Sequence, residues 1–216
     1  MRSFFKTGKG EYGEGDIFLG IRVPEQRSIA SQFIDLPLDD IEKLLLSPIH
    51  ELRFTALEIL VMKYERGDPH CVDFYLSHTA GINNWDLVDT SARYILGNYL
   101  LGKDCSILYT LAQSENMWER RIAIVSTHEF IVHGEYTHTF ALARMLLKDT
   151  EPLIHKALGW MLRETGKCIS KNVLIEFLKD HAHEMPRISL SYALEHFSKK
   201  EREMYMKRKH PRMRGW

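Results

Sequence analysis

The chain has 216 residues, of which 44% are hydrophobic and 27% are charged, so it is long enough to bury a sizeable core without disulfide or metal staples. Its 29 basic residues balance its 29 acidic residues. Overall charge therefore indicates neither a nucleic-acid binder nor a membrane binder, and any electrostatic site must be local. The N-terminus lacks the apolar core of a signal peptide and no apolar run could span a bilayer, so we expect a soluble cytoplasmic protein with no membrane partner. Three widely spaced cysteines without a CxxC motif predict reduced thiols: Cys71, Cys105 and Cys168.

Residues 1–23 are rich in glycine. We predict that they form a segment packed on the domain that follows. From Pro24 onward apolar residues recur every three or four positions, which predicts helix almost throughout a single domain over 24–210, with a tail over 211–216. Prolines fall near the expected helix starts, and Gly166 predicts a helix end. The expected helices span 24–34, 38–46, 48–65, 69–79, 84–101, 104–113, 117–133, 135–148, 151–165, 170–182, 186–197 and 199–208.

The helices also repeat along the chain. Four segments, each with a polar residue before an apolar helix face, carry the markers Arg53, Asp89, Arg121 and Lys156 at spacings of 36, 32 and 35 residues. Such spacing is typical of short HEAT-like helix pairs, so we predict an all-α fold, an α-solenoid or α–α superhelix. Equivalent positions of successive pairs would then converge on one concave groove.

Asp89, in the segment "NWDLVD", can be interpreted in two ways. Trp85, Asp89, Arg93 and Leu96 form a helical stripe beside the expected core stripe of Val88, Ala92, Ile95 and Tyr99. Asp89 is either half of a surface pair with Arg93 or a carboxylate that a reaction requires. Asp86, by contrast, reads as a helix-start charge that suits the macrodipole.

Two later helices carry further candidates. Arg121 shares a stripe with Met117 and Ile124, so it is either a core-edge residue or a groove residue. The next candidate helix has a basic stripe that is interrupted by an aromatic ring: Lys156, Trp160, Arg163 and Lys167. The stripe is either a solvated face beside a tryptophan of the core or a surface that binds successive phosphates. Gly159 suggests that something approaches the backbone closely. The histidine spacings predict no metal site.

The ordered segments "FLGIRVPEQR", "NWDLVD", "MWERRIAI", "KALGWMLRE" and "MPRISLSYALEHF" make the chain resemble the AlkD-like DNA alkylation repair family of HEAT-like-repeat DNA glycosylases. The resemblance runs over nearly the whole chain. It implies that Asp89 is the catalytic carboxylate and that Trp85, Arg121 and Trp160 complete the site. Arg22 departs from the family pattern, because the comparable position can hold a neutral amide.

The resemblance further implies a monofunctional hydrolase that releases cationic alkylated purines, N3-methyladenine and N7-methylguanine, from duplex DNA. No cofactor and no metal are expected, the partner is alkylated double-stranded DNA, and the protein is expected to be a monomer. The residues assigned to DNA binding in the concave groove are Arg27, Arg53, Lys156, Arg163 and Lys167. The alternative is a non-catalytic HEAT-like scaffold that binds DNA structures or a protein partner through the same groove.

Overall fold

A computed structural model describes residues 5–207. The predicted all-α class is confirmed, because the described residues contain twelve α-helices and no strand beyond an isolated bridge between Ile17 and Ile49. The helices are α1 (Val23–Ala30), α2 (Leu38–Leu45), α3 (His50–Glu65), α4 (Cys71–Ser77), α5 (Trp85–Ser91), α6 (Ser106–Leu111), α7 (Met117–Val132), α8 (Thr137–Leu146), α9 (Pro152–Cys168), α10 (Lys171–His181), α11 (Arg187–Ala193) and α12 (Lys199–Lys207).

The described residues divide into two compact units, with the boundary between Tyr99 and Leu100. In the first unit α3 is central, because α1, α2 and α5 all pack against it. The residues before α1 also lie along the start of α3. The Ile17 N–H donates to the Pro48 carbonyl, and the Glu51 carboxylate accepts from the Leu19 and Gly20 N–H groups at 3.0 and 2.8 Å.

The second unit is arranged around α9, which packs against α7, α8, α10 and α11. Its core is aliphatic and aromatic, with Leu158 and Leu162 of α9 fully buried among residues of α8, α10 and α11. Pro152 opens α9 at its first turn, where a missing N–H leaves no helical bond unmade.

The predicted helix end at Gly166 is wrong. Helix α9 continues to Cys168, and a Cβ on Gly166 would lie 2.7 Å from Cδ2 of Leu174 in α10. The glycine therefore lets two helices approach each other instead of ending one of them.

A second difference lies in the expected helix over 84–101. After α5 the backbone widens into a π-helical turn over Arg93–Gly97, in which the Gly97 N–H donates to the Ala92 carbonyl at 2.9 Å. A π turn adds one residue to the helical register. Leu100 is therefore 3% exposed, while Tyr99, which the straight-helix stripe placed in the core, is 39% exposed.

The three cysteines are free thiols; Cys71 and Cys105 are buried and Cys168 is exposed. Burial, with the nearby Asp68 carboxylate, raises the pKa of Cys71 to about 11. No helix in the described part of the chain has the length and apolar character that a membrane crossing requires.

Candidate active site

Trp85 and Asp89 lie one turn apart on the same side of α5. Asn84 caps the helix, since its side-chain oxygen accepts from the Trp85 N–H at 2.8 Å. Leu87 and Val88 are completely buried, whereas Trp85 and Asp89 are both partly exposed. The indole and the carboxylate thus lie at the border between core and surface, where the helical spacing predicts them.

Two buried hydroxyl groups, of Tyr75 and Ser91, contact each other in the same unit as Asp89. The Tyr75 hydroxyl lies 3.0 Å from Oγ of Ser91, which donates in turn to the Leu87 carbonyl at 2.6 Å. Burial raises the pKa of Tyr75, and the charge of Asp89 raises it further. Tyr75 is therefore a neutral hydroxyl and not an additional anion.

Trp85 belongs to a stack of rings that the sequence did not predict. Phe5 lies nearly parallel to Trp85, with ring centroids 5.6 Å apart and an interplanar angle of 17°. Phe18 stacks on Phe5 at 4.9 Å and on His50 at 4.7 Å. The residues before α1 thereby supply part of the aromatic surroundings of Trp85.

A buried ionic cluster adjoins this ring stack. His50, at the first position of α3, is 3% exposed, and its Nε2 lies 2.8 Å from Oδ2 of Asp86. Its Nδ1 faces Oδ2 of Asp16 at 3.4 Å, and Nη2 of Arg53 contacts the same Asp16 oxygen at 2.7 Å. Asp86 is thus more than a helix-start charge, because it also joins α5 to α3.

The same cluster determines the surroundings of Arg53. Its side chain is 6% exposed, pairs with Asp16 and donates to the Ser47 carbonyl at 3.0 Å. A buried guanidinium that is already paired with a carboxylate is poorly placed to contact a phosphate.

Arg27 lies at the surface of the same unit. Its Nε contacts Oε1 of Glu58 at 3.1 Å, and that carboxylate also accepts from the hydroxyl of Thr90, the residue after Asp89. Because the Arg27 side chain is 56% exposed, part of this paired cation faces solvent near Thr90.

In the second unit, Arg121 is 5% exposed and donates from Nη1 to the Leu153 carbonyl at 2.6 Å. That bond ties the first half of α7 to the start of α9. Of the two interpretations that the sequence left open, this burial favours a core-edge residue, consistent with its stripe beside Met117 and Ile124.

Trp160 is partly exposed on α9, and its ring packs against His128 with centroids 5.6 Å apart. The cations on its stripe are largely accompanied by carboxylates. Arg163 pairs with Glu164 and Glu195, and Lys167 lies 3.5 Å from Glu164. Burial opposes the charge on Arg163, but its two carboxylate partners raise its pKa overall. Lys156 makes no ion pair within the described residues.

Gly159 explains why α9 and α11 approach so closely. A Cβ at this position would lie 2.4 Å from the Ser189 carbonyl oxygen and 2.6 Å from Cβ of Tyr192. The close approach that the sequence suggested is therefore confirmed, and its partner is a neighbouring helix of the same unit.

The sequence matches a family model, described as DNA alkylation repair enzyme, over residues 1–197. The chain belongs to this DNA alkylation repair family. A solved structure from Enterococcus faecalis, described as a predicted DNA alkylation repair enzyme, has the same fold, with a TM-score of 0.74 and 19% identity over 92% of this chain and 93% of that one. No curated protein sequence matches the chain significantly.

Within this family member, sequence reasoning missed the residues that surround Trp85. Asp16, Phe5 and Phe18 lie in a segment without periodicity, so no pattern linked them to α5. The structure places Trp85 and Asp89 together in the first unit, and Arg121 and Trp160 in the second. No cluster of three or more metal-ligating side chains occurs among residues 5–207.

Proposed function

We propose that this DNA alkylation repair family member is a DNA glycosylase that hydrolyses the N-glycosidic bond of cationic alkylated purines in duplex DNA. The observation that carries the proposal is the placement of Asp89, a partly exposed carboxylate one turn from a partly exposed indole, in a chain of this family. N3-methyladenine and N7-methylguanine are the proposed lesions.

The chemistry requires little from the protein beyond a well-placed negative charge. Alkylation at N3 of adenine or N7 of guanine gives the base a positive charge, so it already leaves readily. As the bond from C1′ breaks, positive charge develops on the deoxyribose, and a fixed carboxylate stabilises that oxocarbenium-like state. Asp89 would supply this charge and orient the attacking water.

Trp85 would contribute an aromatic face to the cationic nucleotide, an attraction worth about 0.5–2 kcal/mol. Because Phe5 covers part of this ring in a nearly parallel stack, the nucleotide would use the remaining surface. Arg121 and Trp160 are proposed for the same substrate on the family resemblance alone. From its buried position at the core edge, Arg121 would attract a phosphate through its positive charge, and Trp160 would flank the lesion.

Contacts to the DNA backbone are proposed for four cations, within a HEAT-like solenoid that has a concave groove. Their side chains are at least partly exposed: Arg27, Lys156, Arg163 and Lys167. Arg53 is left out of this interface because its guanidinium is buried against Asp16.

The decisive experiment measures release of methylated bases from alkylated duplex DNA by the wild-type protein and by Asp89→Asn. Loss of a preorganised electrostatic group costs about 100- to 1,000-fold in rate, so we expect a loss of that size. Asp73→Asn, at an exposed position of α4 in the same unit, is the matched control and should release bases at the wild-type rate.

Equal release by wild type and Asp89→Asn would remove the catalytic role of Asp89. Salt-dependent DNA binding without release of any alkylated base would favour the scaffold. Asp89→Asn should then bind DNA at least as tightly as wild type, because a carboxylate repels phosphate.

A further inference from the structure

Helix α5 depends on the rest of its unit for its position. It runs directly into the π-helical turn that ends at Gly97, and isolated helices shorter than about 12–15 residues are at best marginally stable in water. The orientation of Trp85 and Asp89 must therefore come from contacts between α5 and the rest of its unit. The Asp86 carboxylate, in the first turn of α5, makes one such contact with His50 of α3 at 2.8 Å.

His50 is itself fixed from several sides. Asp16 and Arg53 face its Nδ1 at 3.4 and 3.5 Å, while Asp86 holds its Nε2. Its ring lies 4.7 Å from Phe18 and 4.9 Å from Phe5. A side chain that is 3% exposed and held in this way has little rotational freedom.

Two connections lead from His50 to Trp85. One runs through Asp86, the residue that follows Trp85 in the chain. The other runs through Phe5, which packs against both rings, tilted on His50 and stacked on Trp85. Asp89 follows on the same helix, one turn after Asp86, so any rotation of the first turn would displace its carboxylate as well.

We propose that His50 is a positioning residue, which holds Trp85 and Asp89 in place through Asp86 and through the rings of Phe5 and Phe18. Its effect on catalysis rests on the glycosylase function proposed above, whereas its effect on the Trp85 ring does not. The residues before α1 are accordingly part of the active-site support.

The test compares His50→Leu with His50→Gln. Leucine keeps much of the volume but removes both hydrogen bonds, whereas the glutamine amide can still donate to Asp86. His78→Leu is the matched control, since His78 also pairs with a carboxylate in the first unit, with Nε2 3.1 Å from Glu42. Each protein is assayed for single-turnover base release at saturating alkylated DNA, for affinity to unmodified DNA, and for thermal unfolding.

A displacement of about 1 Å costs roughly 100-fold in rate, so we expect His50→Leu to slow single-turnover release by about 10- to 100-fold. His50→Gln should recover part of that rate. DNA affinity should change less than about twofold, because none of the proposed DNA contacts is altered. An unchanged rate per folded molecule in His50→Leu would overturn the proposal.

A spectroscopic measurement separates this proposal from the glycosylase function. With the four tryptophans replaced by 5-fluorotryptophan, the ¹⁹F resonance of Trp85 is assigned by its absence in Trp85→Phe. We expect it to shift or broaden in His50→Leu but not in His78→Leu. If the wild-type protein releases no base but the Trp85 resonance shifts in His50→Leu, the glycosylase function is refuted and the positioning role is retained. An unshifted Trp85 resonance in His50→Leu would refute the positioning role.

Discussion

Buried between two carboxylates, His50 has a pKa that depends on its neighbours. Burial lowers its pKa, and Arg53 acts in the same direction, but Asp16 and Asp86 raise it above the ordinary 6.5 overall. A histidine with a raised pKa stabilises the fold fully below its unfolded pKa, and that contribution is lost as the pH rises through the folded value. Each unit of raised pKa is worth about 1.4 kcal/mol.

We therefore expect the free energy of unfolding of wild type, relative to His50→Gln, to be largest below about pH 6.5 and to decrease as the pH rises above that value. Urea unfolding at several pH values measures this difference. A difference that grows with rising pH would contradict the placement of His50 between Asp16 and Asp86.

Residue types along a helix predict where charges point, but not which charges they meet. The stripe containing Arg163 was apparent from spacing, whereas its partner Glu195 lies 32 residues later on another segment. Arg53 likewise finds Asp16 in the glycine-rich segment. The pairing of Trp85 with Asp89 was predictable because it is local to one helix turn; the pairing of Asp86 with His50 was not, because it is long-range.

At the scale of elements, the contact between α9 and α11 depends on Gly159. In an open helix, alanine in place of glycine would stabilise the fold by about 1 kcal/mol. Here the new methyl would meet the Ser189 carbonyl and the Tyr192 side chain, so we expect Gly159→Ala to destabilise by about 1–3 kcal/mol. Thermal or urea unfolding gives the sign directly; a more stable variant would disprove the close approach.

The π-helical turn makes a prediction about deletion. Removing Tyr94, an exposed residue of that turn, would restore a regular helix while keeping Leu100 toward the core. We expect this variant to remain folded, with cooperative unfolding and unchanged helical circular dichroism. Deletion of Glu176, exposed in the regular helix α10, should instead rotate Phe177 and Leu178 away from the core and abolish cooperative unfolding. Equal damage from both deletions would count against the register shift.

Helices were predictable from sequence because periodicity, prolines and caps are local signals. Asn84 and Asn116, for example, cap α5 and α7 at the expected starts. The predictions of a helix end at Gly166 and of a straight helix after Asp89 were wrong for a different reason. Each feature depends on which residues pack against the backbone, and residue spacing does not indicate those residues.

At the scale of the whole molecule, balanced charge limits how strongly DNA binding should depend on salt. If the proposed phosphate contacts are made by the four backbone cations and Arg121, the slope of log K against log salt should be no steeper than about −5. Replacing Lys156 by alanine should reduce that slope by about one, equally for alkylated and unmodified DNA. Lys199→Ala, exposed in α12, is the control; an equal effect from both would remove Lys156 from the interface.

The thiols of this chain provide a chemical handle that needs no engineering. Cys71 and Cys105 are buried, and burial raises the pKa of each thiol, so neither should form a reactive thiolate at neutral pH. Cys168 is exposed at the end of the helix that carries Trp160. A maleimide dye should therefore label the native protein selectively at Cys168. The fluorescence of that dye should then change when DNA binds to the second unit.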